Sequence, residues 1–286
     1  MALVSMKPML VSARQERYAV GAFNVVDYAS TKAVVRAAEE LDAPVIVQTS
    51  VKTILYWSYE TIAGWMRELA GCSPIPIALH VDHCKDPDIV ERCIEAGWTS
   101  VMIDASALPF EENLDLSRRV VEMALPAGVG VEAELGEIVG VEEDLAVDEK
   151  DAHLADPQKA RAFCEQLDLA AFAPAIGTAH GMYKGEPKIA FDRLEEIYRH
   201  TETPLALHGG TGLSDDIIQR CIKLGCAKIN ISTQLKYAFI DGFVEYNRDN
   251  PHDYEPLKVL DAQFQRVKSL IAEKIQQFGG AGKASA

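Results

Sequence analysis

Three of the seven histidines stand where apolar, strand-like runs of the sequence give way to loops: His83, His180 and His208. If those strands lie parallel in one sheet, the three side chains meet at one edge. Three neutral imidazoles around a metal ion leave one position open, which is the arrangement of catalytic zinc sites that polarise a carbonyl. A single histidine beside a strand is usually a hydrogen-bonded structural residue, but three at one edge favour a metal centre.

Carboxylates near these histidines could move protons or orient ligands. Asp82 precedes His83 and could serve as a general acid or base, or could orient a histidine. Asp104 and Glu134 close two further strands, where they could bind a second ion, orient ligands, or simply be buried and hydrogen-bonded. His80 is expected to be structural, because strand alternation directs it away from the position of His83.

Glycines flank two of the candidate ligands, in Ala179-His180-Gly181 and in His208-Gly209-Gly210-Thr211-Gly212. Such turns allow close backbone approach and present N–H groups that suit phosphate, and a helix beginning near Ser214 would add its dipole. Either run alone would be interpreted as a tight turn. Beside two candidate metal ligands, both favour a phosphate site.

A repeating pattern of elements positions these residues. Strand-like apolar runs occupy 19–23, 44–48, 76–81, 100–103, 130–134, 169–175, 204–207 and 227–231. Helix-like stretches occupy 30–41, 59–70, 87–96, 110–124, 157–166, 192–200, 214–224, 234–246 and 257–278. Several helices open at a cap, as at Asp156-Pro157, and several end at a glycine, as at Gly97 and Gly225.

Eight strand–helix units predict a (β/α)8 TIM barrel, an α/β fold, with an additional C-terminal helix. The runs are continuously apolar, as parallel strands covered by helices should be. A doubly wound sheet is the main alternative, but Gly21-Ala-Phe-Asn24 is not the Gly-rich turn that would follow its first strand. We expect one barrel domain over 1–286, with a loose tail at 279–286.

The segment 132–151 interrupts the pattern with nine acidic residues and one lysine. It is either a solvated acidic loop or a mobile active-site loop, because it follows a strand end where barrel enzymes place their chemistry.

Composition excludes several classes of partner. The 286 residues carry a formal net charge of -15, which disfavours nucleic acid and anionic membranes as partners. The first eight residues lack a secretory signal, and no apolar run is long enough to span a bilayer. The six cysteines form no C-x-x-C pair and are expected to be reduced thiols of a cytoplasmic protein.

Taken together, the motifs resemble those of the class II, metal-dependent fructose-bisphosphate aldolase family, in particular its tagatose- and fructose-bisphosphate aldolase branch. The matching runs cover nearly the whole chain: Gly21-Ala-Phe-Asn24, Val81-Asp82-His83, Ser100 to Ser106, Val131 to Gly136, Glu142 to Asp144, Ala175 to Tyr183, Leu207 to Leu213, and Lys228-Ile-Asn230.

The resemblance implies reversible cleavage of a ketose bisphosphate to dihydroxyacetone phosphate and an aldehyde. His83, His180 and His208 would bind a zinc ion that stabilises the enediolate. Asp82 would take the C4 hydroxyl proton, and Glu142, on the acidic segment, would transfer the proton at C3. No Schiff-base lysine is needed, and no lysine closes a central strand except in looser positions such as Lys184.

The remaining site residues also come from the resemblance. Substrate and phosphate contacts would be Asn24, Ser50, Gly181, Lys184, Gly209, Gly210, Thr211, Asn230, Ser232 and Thr233. Asp104 and Glu134 match positions that can hold a second divalent ion, and a monovalent cation (Na+ or K+) would lie near the phosphate. The family implies a homodimer or homotetramer, for which the last helix is a plausible interface.

The segment after the second strand departs from the family pattern. Lys52 replaces a Gly-rich turn and could contact a distal phosphate or carboxylate, or be an ordinary surface lysine. The preference between fructose and tagatose bisphosphates stays open. The alternatives are an aldolase for another ketose 1-phosphate, a non-catalytic aldolase-like partner subunit, or a metal-dependent sugar-phosphate epimerase.

Overall fold

The computed structural model describes residues 3–142, 145–147, 153–183 and 185–285, with only the backbone described at 139–142 and 145–147. Its strands are β1 Val20–Asn24, β2 Val45–Ser50, β3 Ile77–Cys84, β4 Ser100–Ile103, β5 Gly130–Leu135, β6 Val139–Glu142, β7 Leu145–Val147, β8 Ala171–Pro174, β9 Ala179–His180, β10 Leu205–Leu207 and β11 Cys226–Ile231.

The helices complete the repeating pattern. They are α1 Met6–Glu16, α2 Tyr28–Glu40, α3 Val51–Trp57, α4 Tyr59–Gly71, α5 Pro87–Glu95, α6 Phe110–Ala124, α7 Pro157–Gln166, α8 Phe191–His200, α9 Asp215–Lys223, α10 Thr233–Asp249 and α11 Pro256–Gln277, with a short 3-10 helix at Leu125–Ala127. Within the described residues, no helix is both long and apolar enough to cross a membrane.

Eight parallel strands close into a barrel in the order β1-β2-β3-β4-β5-β8-β10-β11, and β11 pairs with β1. The predicted TIM barrel and its C-terminal helix are therefore confirmed. The strand predicted at 100–103 and the helices at 110–124 and 157–166 have the observed bounds, and the others differ by a few residues. Sequence analysis missed α1, α3 and a small second sheet, β7-β6-β9.

Helix α1 closes the amino-terminal end of the barrel. Its fully buried Met6 and Leu10 belong to one apolar cluster with small residues of the barrel strands, such as Ala171 and Ala227. The alanines leave room at that end, which the helix fills with longer side chains. Chemistry is therefore left to the opposite, carboxyl end of the strands.

Caps set the starts of the helices that follow the barrel strands. Asp156 accepts hydrogen bonds from the backbone N–H groups of Gln158 and Lys159, with Pro157 at the first helical position. The helix expected from Ser214 also begins there, with the hydroxyl accepting from the Ile217 N–H. These contacts satisfy N–H groups that have no partner within the helix.

The acidic segment and the C-terminal tail both contain backbone hydrogen bonds. The first residues of the acidic segment 132–151 belong to β5, in line with the strand predicted at 130–134, and further along the segment β6 and β7 pair antiparallel. In the tail, which we expect to be loose, the Gly282 N–H donates to the Leu41 carbonyl and the Ala284 N–H to that of Asp42. Over 279–285 the tail is thus attached to the turn after α2.

Candidate metal centre and active site

The structure brings the three candidate histidines together at the carboxyl end of the barrel. One ring nitrogen of each of His83, His180 and His208 lies within 4.8 Å of those of the other two. His83 closes β3, His180 lies in β9 beyond β8, and His208 directly follows β10. Three separate strand ends therefore converge on a space the size of one metal ion.

An irregularity in β3 turns His83 into this position. Asp82 points into the barrel, so a regular strand would place the next side chain on the outer face. His83 instead has a left-handed backbone, with φ of 48°, and the ladder to β4 shifts between Val81 and Cys84. Such a conformation is strained for a residue other than glycine, which is typical of functional sites.

Asp104 contacts the Nδ1 side of the His83 ring and fixes its orientation. Its Oδ2 lies 2.8 Å from Nδ1 of His83, while Oδ1 accepts hydrogen bonds from the Ser106 hydroxyl and N–H. Burial opposes ionisation, but the contacts with His83 and Ser106 hold the pKa of Asp104 below its usual range. An ionised Asp104 keeps the imidazole proton on Nδ1, so Nε2 carries the lone pair for a metal.

His208 is held between two carboxylates. Its Nε2 lies 2.7 Å from Oε1 of Glu132, and its Nδ1 lies 3.3 Å from Oε2 of Glu134. Burial disfavours the charged imidazole, but the two carboxylates raise the pKa of His208 to about 9. The same negative potential would favour a divalent cation beside Nδ1.

Beneath the histidines lies a charged network inside the barrel. Lys228 is fully buried and its Nζ lies 3.0 Å from Oε2 of Glu132. Burial opposes the charge of Glu132, but Lys228, His208 and His80 keep its pKa below the usual range. His80 is also fully buried and contacts the Ser100 hydroxyl at 2.9 Å, so it is a hydrogen-bonded interior residue.

Asp82 is held by two amides. Asn24 Nδ2 donates to one carboxylate oxygen at 2.9 Å and Asn230 Nδ2 donates to the other at 3.1 Å. Each amide is itself fixed, since Gln48 donates to Asn24 Oδ1 and Lys228 donates to Asn230 Oδ1. The Asp82 carboxylate therefore has a set orientation at the mouth of the barrel.

Two glycine-rich turns meet beside the histidines. Gly209 has φ of 67°, and a Cβ added to it would lie 2.4 Å from the Ala179 carbonyl oxygen. A Cβ on Gly210 would lie 2.7 Å from Ile229 Cγ2, whereas Gly181 has open space around it. The turns therefore pack on each other through glycine backbone, as close approach requires.

The other predicted contacts are spread along the same mouth. Ser232 precedes α10 and makes no side-chain cap there, and Thr233 is the first residue of that helix. Thr211 is buried in the turn after His208. Ser50 differs, because its hydroxyl caps α3 by accepting from the Thr53 N–H.

Two predicted site residues have side chains outside the described part of the chain. Lys184 lies outside the described residues, and so does the side chain of Glu142. The backbone of Glu142 ends β6, which pairs with β9 through Val139↔Ala179 and Gly140↔His180. Strand β6, which ends at Glu142, is thus hydrogen-bonded to β9, which contains the candidate ligand His180.

Sequence analysis missed Glu132 and Lys228 as site residues. We expected no lysine to close a central strand except in looser positions, and Lys228 lies in the middle of β11 and not at its end. A charged residue in the middle of an otherwise apolar strand is itself a signal, since burial of a charge requires a partner. The ion pair, however, explains Lys228 as a structural group.

Comparisons with known proteins agree with this geometry. A sulfofructosephosphate aldolase from Alkalicoccus urumqiensis is 39% identical over 284 residues, which cover 99% of each chain. A fructose-bisphosphate aldolase from Geobacillus stearothermophilus is 42% identical over 288 residues, which cover 100% of each chain.

Solved structures have the same fold. The YdjI aldolase from Escherichia coli has a TM-score of 0.86 and 32% identity, covering 99% of this chain and 100% of that one. A fructose-bisphosphate aldolase from Campylobacter jejuni has a TM-score of 0.86 at 22% identity, which shows the fold alone. Residues 4–283 match the family of class-II fructose-bisphosphate aldolases. The chain therefore belongs to the class-II fructose-bisphosphate aldolase family, a family of lyases.

Proposed function

We propose that the chain reversibly cleaves a ketose bisphosphate, fructose or tagatose 1,6-bisphosphate, to dihydroxyacetone phosphate and an aldehyde such as glyceraldehyde 3-phosphate. The observation that carries this is the meeting of three histidine nitrogens within 4.8 Å beside a doubly hydrogen-bonded aspartate. The histidine cluster and the aspartate suit one reaction, because aldol cleavage needs an electrophile at a carbonyl and a base at the neighbouring hydroxyl.

The donor set fits a zinc ion. His83, His180 and His208 offer three imidazole nitrogens, and Asp104 and Glu132 orient two of the rings. When bound, zinc would supply Lewis-acid polarisation of the substrate carbonyl. We also propose that Asp104 and Glu134 can bind a second divalent ion. A monovalent cation would lie beside the phosphate.

Asp82 is the proposed proton acceptor for the C4 hydroxyl in cleavage and the donor in condensation. Asn24 and Asn230 hold both of its oxygens, so the carboxylate would meet the hydroxyl in one orientation. Glu142 is proposed to transfer the proton at C3 of dihydroxyacetone phosphate. The pairing of its strand with the segment of His180 supports a position over the mouth.

The phosphate is proposed to bind the two glycine turns and the start of α10. The backbone N–H groups of Gly181, Gly209 and Gly210, together with Thr211, Ser232, Thr233 and Lys184, would hold it. Asn24, Ser50 and Asn230 would contact the sugar hydroxyls. An acidic protein can bind an anion there because the field of a backbone nest is local.

The aldehyde half is a separate question, since relatives named for different substrates are about equally similar. A cavity of about 380 Å³ is lined by Lys52, Tyr56, Trp57 and neighbouring residues. An anionic distal group would suit this lysine. An aldolase for another ketose 1-phosphate is therefore the second candidate, favoured by the difference after β2.

We further propose a cytoplasmic homodimer or homotetramer. The last helix is one expected interface, and α11 buries Val267, Ile271 and Ile275 within the chain while it exposes Leu257 and Leu260. Helix α10 exposes a larger set of apolar side chains on one side: Tyr237 is 54% exposed, Ile240 56%, Phe243 49% and Val244 52%. Exposed apolar patches of this kind mark interfaces, so α10 is the proposed contact.

The decisive experiment measures dihydroxyacetone phosphate release from fructose 1,6-bisphosphate, tagatose 1,6-bisphosphate and a ketose 1-phosphate, before and after chelation. We expect release to stop on chelation and to return with zinc, and the ranking of substrates to name the branch. A product with the carbon count of the substrate would indicate an epimerase. Failure of all three, and of condensation with varied aldehydes, would indicate a non-catalytic subunit.

A further inference from the structure

Two ligand-bearing turns of the metal centre come from different strand ends and need a fixed separation. The turn after β8 carries His180, and the turn after β10 carries His208. His180 lies in β9, which pairs with β6 of the second sheet, and His208 follows the last residue of β10. The barrel alone therefore does not set the distance between these two imidazoles.

The hydroxyl of Tyr183 connects the two turns. It donates to the Gly209 carbonyl oxygen at 2.8 Å and accepts from the Ala179 N–H at 3.0 Å. Ala179 and Gly209 are the immediate neighbours of His180 and His208 along the chain. One oxygen atom thus joins the backbone next to one candidate ligand to the backbone next to the other.

The hydroxyl of Tyr183 stays protonated at neutral pH. Burial raises the pKa of Tyr183 to about 12, although the Ala179 N–H favours the anion. The ring is partly buried and packs against the apolar core. A protonated hydroxyl on a packed ring can donate one hydrogen bond and accept another at the same time.

The His180 turn is also connected to β6, the strand that ends at Glu142. Ala179 and His180 pair in parallel register with Val139 and Gly140, and the same strand ends at Glu142. Movement of the His180 turn relative to His208 would therefore also displace the backbone that carries the proposed C3 base.

We propose that Tyr183 is a positioning residue that sets both the affinity for the metal and the placement of the Glu142 strand, without contacting metal or substrate. This inference rests on the proposed function for its metal and its reaction. Loss of partners that orient metal ligands typically lowers metal affinity about 10- to 100-fold. The removal of this one hydroxyl is expected to fall in that range, because it releases two ligand turns at once.

The test is Tyr183→Phe, which removes only the hydroxyl, with Tyr246→Phe as the matched control. Tyr246 donates to Asp253 Oδ2 at 2.9 Å, on the segment between α10 and α11. Zinc affinity is measured by competition with a chelator, and the d–d spectrum of the cobalt-loaded protein reports ligand geometry. Proton exchange at C3 of dihydroxyacetone phosphate and the melting temperature of the metal-free protein are measured alongside.

We expect Tyr183→Phe to bind zinc about 10- to 100-fold more weakly, to change the cobalt spectrum and to exchange the C3 proton more slowly, as for lost ligand-orienting partners. Tyr246→Phe is expected to match the wild type in all three. Unchanged zinc affinity in Tyr183→Phe would overturn the inference, even if the metal-free protein melts at a lower temperature. If the wild type binds no zinc and releases no dihydroxyacetone phosphate, the proposed function fails instead.

Discussion

Nε2 of His208 lies 2.7 Å from Oε1 of Glu132, and both side chains are buried in the barrel. Oε2 of the same glutamate lies 3.0 Å from Nζ of Lys228. The orientation of a candidate metal ligand thus depends on an ion pair that lies below it. The chemistry at the mouth and the packing of the interior are therefore linked.

Removal of Lys228 should destabilise the fold strongly. Lys228→Met would leave Glu132 buried without its cation, and breaking a buried pair in this way costs about 3–5 kcal/mol. The free energy of unfolding by urea measures the effect. Lys258→Met is the control, because its partner Asp253 and Lys258 itself lie at the surface, where ion pairs contribute little. Equal effects of the two substitutions would contradict the role of the buried pair.

Asp104→Asn should weaken metal binding without preventing folding. The substitution removes the charge that holds the proton on His83 Nδ1, and losses of such orienting carboxylates cost about 10- to 100-fold in metal affinity. Zinc dissociation constants from chelator competition measure this. Asp168→Asn removes an exposed carboxylate that pairs with Lys7 and should leave zinc affinity unchanged. A wild-type affinity in Asp104→Asn would show that His83 needs no such partner.

The two proposed proton-transfer residues should be separable. Asp82→Asn removes the acceptor for the C4 hydroxyl, so cleavage should fall at least about 100-fold, the usual contribution of a general base. Exchange of the C3 proton of dihydroxyacetone phosphate should persist, because Glu142 remains. Glu142→Gln should slow that exchange. Equal loss of exchange in both variants would exclude this division of roles.

Charge on the exposed face of α10 should dissociate the assembly. Ile240 and Phe243 are both about half exposed, and aspartate at an apolar interface adds an unpaired buried charge. Sedimentation velocity of the double variant Ile240→Asp/Phe243→Asp should therefore show monomers. Leu125→Asp, at a residue 66% exposed elsewhere on the chain, should keep the wild-type assembly. A monomeric wild type would contradict the proposed interface.

The sequence by itself determined the repeating pattern of strands and helices, and with it the barrel. Apolar runs, caps such as Asp156 and terminal glycines such as Gly225 act within a few neighbouring residues. The local sequence is therefore sufficient to predict where the helices and strands lie. It also selected His83, His180 and His208, because each stands next to a strand end. Helix α1 and the second sheet were missed, because their apolar patterns are short.

Only the tertiary structure decided how these residues are held. Glu132 and His208 are 76 residues apart, and Lys228 is 96 residues from Glu132, so the register of several strands must be known before they meet. The sequence also does not predict the left-handed backbone of His83, since a regular strand would direct its ring outward. Side-chain direction at the mouth depends on ladder irregularities and on contacts between turns, and these arise only when the barrel closes.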